Sequence, residues 1–354
     1  MNKILTINPG STSTKIALFN NEQIFFYRVI EHSEEELSQY KELFDQMDFR
    51  LRILKGALRE AKVDPETVTA IAARGGLLPP VKAGAYRVTP EMIALLRHRP
   101  TLEHASNLGA PLAYALGDPY DIPCYIYDPV TVDEMLPLHK ITGLSCFRRR
   151  ALGHNLNMRA MAHRYAASRN ISYADLNLIV VHLGTGITLT LHQKGRITDM
   201  INDEEGPFSP ERAGGLPNLQ LIDLAFSGKY DKKSLTRLVK TEGGLMSHLG
   251  TKDARVIEER IKAGDEKADL VYKAMALDVS RWVGALAVDV CGDVDAIILT
   301  GGIAYSNYLT EIIKNYISFI APVIIYEGED ELKALAEGIL RVLRGEEEVN
   351  SLQI

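Results

Sequence analysis

Eight residues near the start of the chain, Asn8 to Lys15 (NPGSTSTK), bring together groups that can grip a phosphate. A Gly/Ser/Thr turn aims backbone N–H groups and hydroxyls into one small concavity, which suits an anion. The segment that follows, IALF, reads as a strand, so Lys15 stands on a strand. This separates the motif from a Walker A loop, whose G-x-x-x-x-G-K-[ST] opens a helix. Residues two apart on a strand share a face, so Ser11, Ser13 and Lys15 are expected to point together. Two hydroxyls and an ammonium there suit a γ-phosphate or a phosphoryl in transfer. The same residues would also serve as an ordinary polar hairpin tip.

The elements around this motif occur twice. Ile4 to Asn21 (ILTINPGSTSTKIALFNN) and Leu178 to Gly195 (LIVVHLGTGITLTLHQKG) align without a gap as strand, Gly/Ser/Thr turn, β-branched strand and tight turn. Val68 to Gly76 (VTAIAARGG) and Val294 to Gly302 (VDAIILTGG) share V-x-A-I-x-x-x-G-G. Each reads as a buried strand ending in a Gly-Gly turn, where glycine permits positive φ or close backbone approach. Two echoes in the same order imply a duplicated domain with two turns facing one ligand. In the ungapped alignment Leu189 stands where Lys15 stands. The first turn is therefore expected to meet the phosphoryl in flight, and the second to hold the phosphates that stay behind.

Amphipathic helices are predicted over Glu34 to Ala61, Asn155 to Ser168 and Asp265 to Val290. A last helix carries the stripe Leu332, Leu335, Ala336, Ile339, Leu340 and Leu343, and the charged tail GEEEVNSLQI after it is expected to be solvated. Strands alternating with helices after an initial hairpin indicate α/β domains with mixed sheets. A chain of 354 residues exceeds one typical core, so two domains are expected. The change falls between Phe147 and Leu178. The run Arg148-Arg149-Arg150 there reads as a solvated helix entry or, alternatively, as an anion-steering patch.

Composition sets the wider limits. Hydrophobic residues at 46% and charged residues at 24% describe a globular protein. A net charge of -6 argues against a nucleic-acid partner, though not against nucleotides. Cys124, Cys146 and Cys291 show no CxxC spacing and read as buried thiols in a reducing compartment. No leader is visible after MNKIL, and no apolar run reaches the roughly 18 residues of a membrane helix. A soluble, cytoplasmic protein with no membrane partner is the expectation.

The motifs together resemble the acetokinase family, within the superfamily of sugar kinases, heat-shock chaperones and actin. The likeness extends over nearly the full length and is greatest to the butyrate kinases. It is carried by NPGSTSTK, ARGG, LEHASNLGAP, YDPVTVDEM, GHNLNMRA, HLGTGITLT, DEEGPFSPERAGGLP and LTGGIAYSN. The resemblance implies two duplicated ribonuclease H-like α/β domains with mixed sheets and an interdomain cleft. It places residues 1–152 with a returning C-terminal helix (336–354) in the first, and 153–335 in a nucleotide-binding second. It implies ATP- and Mg2+-dependent, reversible phosphorylation of a short-chain fatty acid, butyrate or isobutyrate, to an acyl phosphate, by a homodimer or higher homo-oligomer. Acetate, propionate or branched-chain acids are alternative substrates; a sugar kinase and an actin-like ATPase are more distant alternatives.

The family's functional residues map onto named positions. Arg74 (in ARGG) and Arg212 (in SPERAGG) match arginines that grip the substrate carboxylate or the phosphoryl, for which a planar, permanently charged fork is suited. His154 matches a histidine that contacts the phosphoryl; without the family, it or Asn155 would read as a helix cap. His104 matches a histidine beside the substrate. Asp128 and Glu331 match carboxylates associated with magnesium, although a Glu at a helix start is favoured by the dipole anyway. Asn8, Ser11, Ser13 and Lys15 fall in the first phosphate turn, and His182, Gly184, Thr185 and Gly186 in the second. Thr185 departs from acetate kinases, which carry Asn there, so a carboxamide contact is missing. Gly301, Gly302 and Ile303 match the turn that packs against adenosine.

Overall fold

Both Gly/Ser/Thr turns close β-hairpins. The structure is a computed structural model and describes residues 1–352. Its strands are, in chain order, β1 (Lys3–Pro9), β2 (Ser13–Asn20), β3 (Gln23–Glu31), β4 (Ala70–Arg74), β5 (Ala85–Arg87) and β6 (Cys124–Tyr127). There follow β7 (Asn177–Leu183), β8 (Ile187–Gln193), β9 (Arg196–Ile201), β10 (Ala296–Gly301), β11 (Val323–Glu327) and β12 (Val349–Asn350). They form two mixed sheets, ordered β12-β5-β6-β4-β1-β2-β3 and β11-β10-β7-β8-β9. The run β3-β2-β1-β4-β6 of the first recurs as β9-β8-β7-β10-β11 in the second.

Register makes the duplication exact to the residue in the first strands. Ile4 pairs with Ala70 in parallel, and Leu178 with Ala296, so both sequence echoes occupy equivalent places. Past the turns the ungapped alignment fails. Asn8 faces Lys15 in the first hairpin, whereas His182 faces Thr188 in the second. The second turn is one residue shorter, and Thr188, not Leu189, stands where Lys15 stands.

The chain divides into two compact units, each with its own sheet and core. Unit 1 comprises Met1–Asp133, Asn155–Ala160 and the segment from Asp330 on; unit 2 comprises Glu134–His154 and Met161–Glu329. The chain thus passes between units at 133/134, 154/155, 160/161 and 329/330, where the resemblance implies 152/153 and 335/336, and Gln353 and Ile354 lie outside the described residues. In unit 1, Leu5, Ile7, Ile16 and Leu18 pack against Leu54 and Leu58 of helix Met47–Glu60 and Leu112 of helix Gly109–Gly117. Helix Glu331–Leu343 packs on β1, β4 and β6, with Leu335 and Ile339 fully buried. In unit 2, Val181 and Leu189 of the sheet meet Tyr272, Met275 and Val279 of helix Glu266–Val288 and Ile313 of helix Asn307–Ile317.

Several local expectations change. The Glu34 to Ala61 helix is three pieces: Glu34–Leu37, a 3-10 turn Leu43–Gln46, and Met47–Glu60. A capping box between Ser33 and Glu36 starts the first piece, and it ends at Ser38, whose N–H bonds the Glu34 carbonyl. Helix Asn155–Arg169 is as expected within one residue, and Asp265 is the cap of the long helix, accepting from the Ala268 N–H. The tail is largely exposed, as expected, but it is tied down: Val349 and Asn350 pair with Ala85 and Tyr86, and Glu347 bonds Tyr127, Arg159 and Arg341. Of the arginine run, Arg149 is no solvated entry; it bonds Asp199, Glu205 and the His139 and Met200 carbonyls. Only Cys124 is a buried thiol, its pKa pushed up to about 12 by burial, while Cys146 and Cys291 are exposed. No helix among the described residues is long and apolar enough to cross a membrane.

Candidate active site

The carboxyl ends of β1 and β4 deliver the first cluster. Neighbouring parallel strands end side by side, so Asn8 (β1) and Arg74 (β4) emerge together. Glu331, first residue of helix Glu331–Leu343, ion-pairs with Arg74 and accepts from the Asn8 carboxamide. Close packing fixes Arg74: Gly75 abuts Pro129, Gly76 abuts Asn107 and Leu96, and the Leu77 N–H donates to Asn107 Oδ1 at 2.7 Å. The ARGG glycines therefore serve close approach.

His104 lies near enough to Arg74 to feel its charge; burial first, then Arg74, lowers its pKa. The Ser106 N–H donates to His104 Nδ1 at 3.1 Å. An N–H only donates, so Nδ1 is unprotonated and the neutral ring carries its proton on Nε2. His104 is thus both a cap of the 3-10 turn Ala105–Leu108 and a donor whose Nε2–H is directed elsewhere.

The first turn departs from expectation in one respect. β2 begins at Ser13, so Ser13 and Lys15 share a strand face while Ser11 sits in the turn. Behind it stands a residue that sequence reading passed over. Arg50, on helix Met47–Glu60, is 1% exposed and reaches the turn's carbonyls; burial pushes its pKa down to about 10. The signal was present: Arg50 falls three residues after Met47 and four before Leu54, a charge on the apolar face.

Asp128 occupies a different environment. It is 1% exposed; its carboxylate takes the Gly84 N–H at 2.6 Å and Arg159 at 3.1 and 3.2 Å. Burial raises its pKa, with Arg159 opposing. Tyr127, Glu347 and Arg341 complete this buried cluster.

In unit 2 the turn between β7 and β8 presents Gly184 to Gly186, and the Ser209 hydroxyl holds the Thr185 carbonyl at 2.6 Å. His182, last but one in β7, stacks on His154 with centroids 3.8 Å apart. His154 occupies the cap position of helix Asn155–Arg169 without a side-chain cap, and its Nδ1 lies 3.0 Å from Thr188 Oγ1. Asn155 does not cap either; its amide donates to the Val130 carbonyl at 3.1 Å. Arg212 bonds Asp203 at 3.1 Å, Glu211 at 2.7 Å and the Lys240 carbonyl. Asp203 also lies against Gly186, which brings Arg212 to the edge of the turn.

Gly301 has a φ of +92°, and a Cβ there would lie 2.5 Å from the Leu183 carbonyl oxygen. Glycine is required on both counts, and the two turns touch through it. A Cβ on Gly302 would meet nothing, so that side of the turn is open. Ile303 follows in the 3-10 turn Gly302–Tyr305.

Residues 148–320 match the sequence model of the acetokinase family. Just under half of the chain is thus similar in sequence to that family. Solved acetokinases share the whole fold. Acetate kinase from Porphyromonas gingivalis superposes with a TM-score of 0.82 at 19% identity, covering 97% of this chain and 100% of that one. A propionate kinase from Francisella tularensis gives 0.75 at 17%, covering 96% and 99%. Acetate kinase from Entamoeba histolytica gives 0.75 at 13%, covering 95% and 98%.

Acetokinases are ATP-using kinases of carboxylates, which raises the question of magnesium. Glu331, its side chain 23% exposed, is paired with Arg74 through one oxygen and accepts from the Asn8 carboxamide through the other, so it would meet a metal only where Arg74 releases it to grip another anion. Asp128 does not fit as a direct ligand, because Arg159 and Gly84 already occupy its buried oxygens. His139, Asp199 and Asp289 also converge, but Arg149 pairs with Asp199 at 3.0 Å and opposes a cation there.

Proposed function

We propose that this chain is an acetokinase that phosphorylates butyrate, and isobutyrate as a close second, at the expense of ATP. The observation that carries the reading is the meeting of Arg74, Asn8 and Glu331 at the ends of β1 and β4, with His104 beside them. That group offers a guanidinium for a carboxylate, an imidazole N–H, and an acidic residue for the metal. The preference for butyrate is supported by the motif resemblance and by Thr185 in place of the acetate kinases' Asn.

A short-chain carboxylate ionises near the Glu reference of about 4.3, so it is already a nucleophile at neutral pH and needs no general base. In the proposed reaction one carboxylate oxygen forms a bond to the γ-phosphorus of ATP. The bond from that phosphorus to the β–γ bridging oxygen breaks, and its electron pair leaves on ADP. Such a loose transition state is stabilised by positioning and charge rather than by covalent help. Arg74 and His104 are assigned to the carboxylate, and Arg212 and His154 to the phosphoryl. The β7–β8 turn with His182 is assigned to the remaining phosphates, and Gly301 to Ile303 to adenosine. Magnesium, held by the phosphates with Glu331, would supply further charge. The buried Asp128–Arg159 pair supports a positioning role for Asp128, and equally disfavours the sugar-kinase alternative in which Asp128 takes a hydroxyl proton.

A hydroxamate trap tests this reading. With ATP, butyrate and hydroxylamine the protein should yield butyryl hydroxamate in proportion to ADP. ADP released at the same rate without butyrate, and no hydroxamate, would refute it.

A further inference from the structure

All five N–H bonds of Arg50 are spent on neutral acceptors. Nη1 donates to the Gly10 carbonyl at 2.9 Å and to Thr14 Oγ1 at 3.1 Å, with the Ser13 carbonyl at 3.4 Å. Nη2 donates to the Ser11 carbonyl at 3.3 Å and to Gln46 Oε1 at 2.9 Å, and Nε to the same Gln46 oxygen at 3.1 Å. Among the described residues no carboxylate pairs with it. A titratable neighbour on the turn side, His32, lies with Nε2 2.8 Å from the Thr14 hydroxyl, and its pKa is lowered by burial and then by Arg50. The guanidinium is therefore fully hydrogen-bonded yet electrically uncompensated, a costly state for a buried charge.

The carbonyls it draws in set the other side of the turn. In a trans peptide C=O and N–H point oppositely. A Gly10 carbonyl turned toward Arg50 sends the Ser11 N–H away from it, and the Ser11 carbonyl does the same for the Thr12 N–H. Neither N–H finds a protein partner among the described residues. Lys15 is exposed, and Ser13, half-buried, shares its strand face. The result is two outward N–H groups, a hydroxyl and an ammonium, backed by a buried positive charge.

We infer that Arg50 is a positioning residue that shapes the Gly10–Ser13 turn into an anion seat, its charge compensated only when a phosphate-like anion occupies the front of the turn. That the anion is the phosphoryl transferred from ATP rests on the kinase reading above; the seat itself does not.

Titration of the full chain with inorganic phosphate, followed at the Ser11 and Thr12 amide resonances by NMR, tests it. Phosphate should move both amides in the wild type. Arg50→Met should weaken this binding by about tenfold or more, and Arg50→Lys, which keeps the charge, should recover much of it. If Arg50→Met does not fold, Arg50→Gln, which keeps a donor for the turn but removes the charge, should show the same loss. Unchanged phosphate affinity in a folded, uncharged variant, or amides that stay still in the wild type, overturns the inference. Acyl phosphate made at the wild-type rate by Arg50→Met would overturn the identification of that anion with the transferred phosphoryl while leaving the kinase reading intact. An Arg50-dependent phosphate seat in a chain that makes no acyl phosphate would do the reverse.

Discussion

Arg74 and Arg212 are planar cations set on different supports, one at the end of a strand and one in a long loop. If each grips charge that develops in transfer, Arg74→Ala and Arg212→Ala should each lower turnover on the order of 10² to 10⁴. Steady-state rates near the wild type in both would remove the assignment. His104 makes a second prediction, about pH. Its pKa lies below 6.5 because burial, and then Arg74, disfavour the imidazolium. A histidine of this kind contributes stability that is complete above about pH 6.5 and is lost as pH falls through the lower folded value. Between about pH 7.5 and 5 the denaturation midpoint should therefore fall further in the wild type than in His104→Gln. Equal falls would mean that His104 is not held neutral. Motifs proposed Arg74, His104 and Glu331, but that they lie together could not be read from them, because it depends on which strands are neighbours.

At the scale of elements, glycines where chains cross closely do much of the positioning. A Cβ on Gly109, at the start of helix Gly109–Gly117, would collide with the Arg74 carbonyl. Gly109→Ala should then displace Arg74 and reduce kcat more than a distant substitution of equal cost in stability, measured by kinetics beside a thermal melt. Gly338, in helix Glu331–Leu343, faces the buried Tyr127 ring, which a Cβ would approach to 2.6 Å. Gly338→Ala should cost about 1–3 kcal/mol in a denaturant titration, as overpacking of a tight core does; a neutral outcome would mean that Tyr127 is free to yield. Strands and apolar helices were legible because burial leaves a period in the sequence. The pairing of the tail was not: a charged tail reads as surface unless its partners are known, and Glu347 finds its partners at positions 127 and 159, while Arg50 was visible as a charge out of place on an apolar face with nothing to say what it holds. The one-residue difference between the hairpins was equally hidden, since two strands of similar composition align well in either register.

At the scale of the molecule, the proposed roles fall to different units. Unit 1 holds Asn8, Arg74, His104 and Glu331; unit 2 holds His154, His182, the Gly184–Gly186 turn, Arg212 and the Gly301 turn. Arg74→Ala should consequently leave ATP affinity within about threefold while turnover collapses, a split between KM and kcat that marks a group acting on the acceptor. Selectivity among acids is a finer matter: two CH₂ groups separate butyrate from acetate, worth about 1.6 kcal/mol or roughly fifteenfold when fully buried. The claim beneath all of these is that a carboxylate oxygen attacks the γ-phosphorus. Butyrate labelled with 18O in its carboxyl group tests it directly by phosphorus NMR of the products. The account predicts an acyl phosphate whose phosphorus signal is shifted by a bridging 18O. ATP consumed with only unlabelled inorganic phosphate appearing, and no acyl phosphate signal, would contradict it.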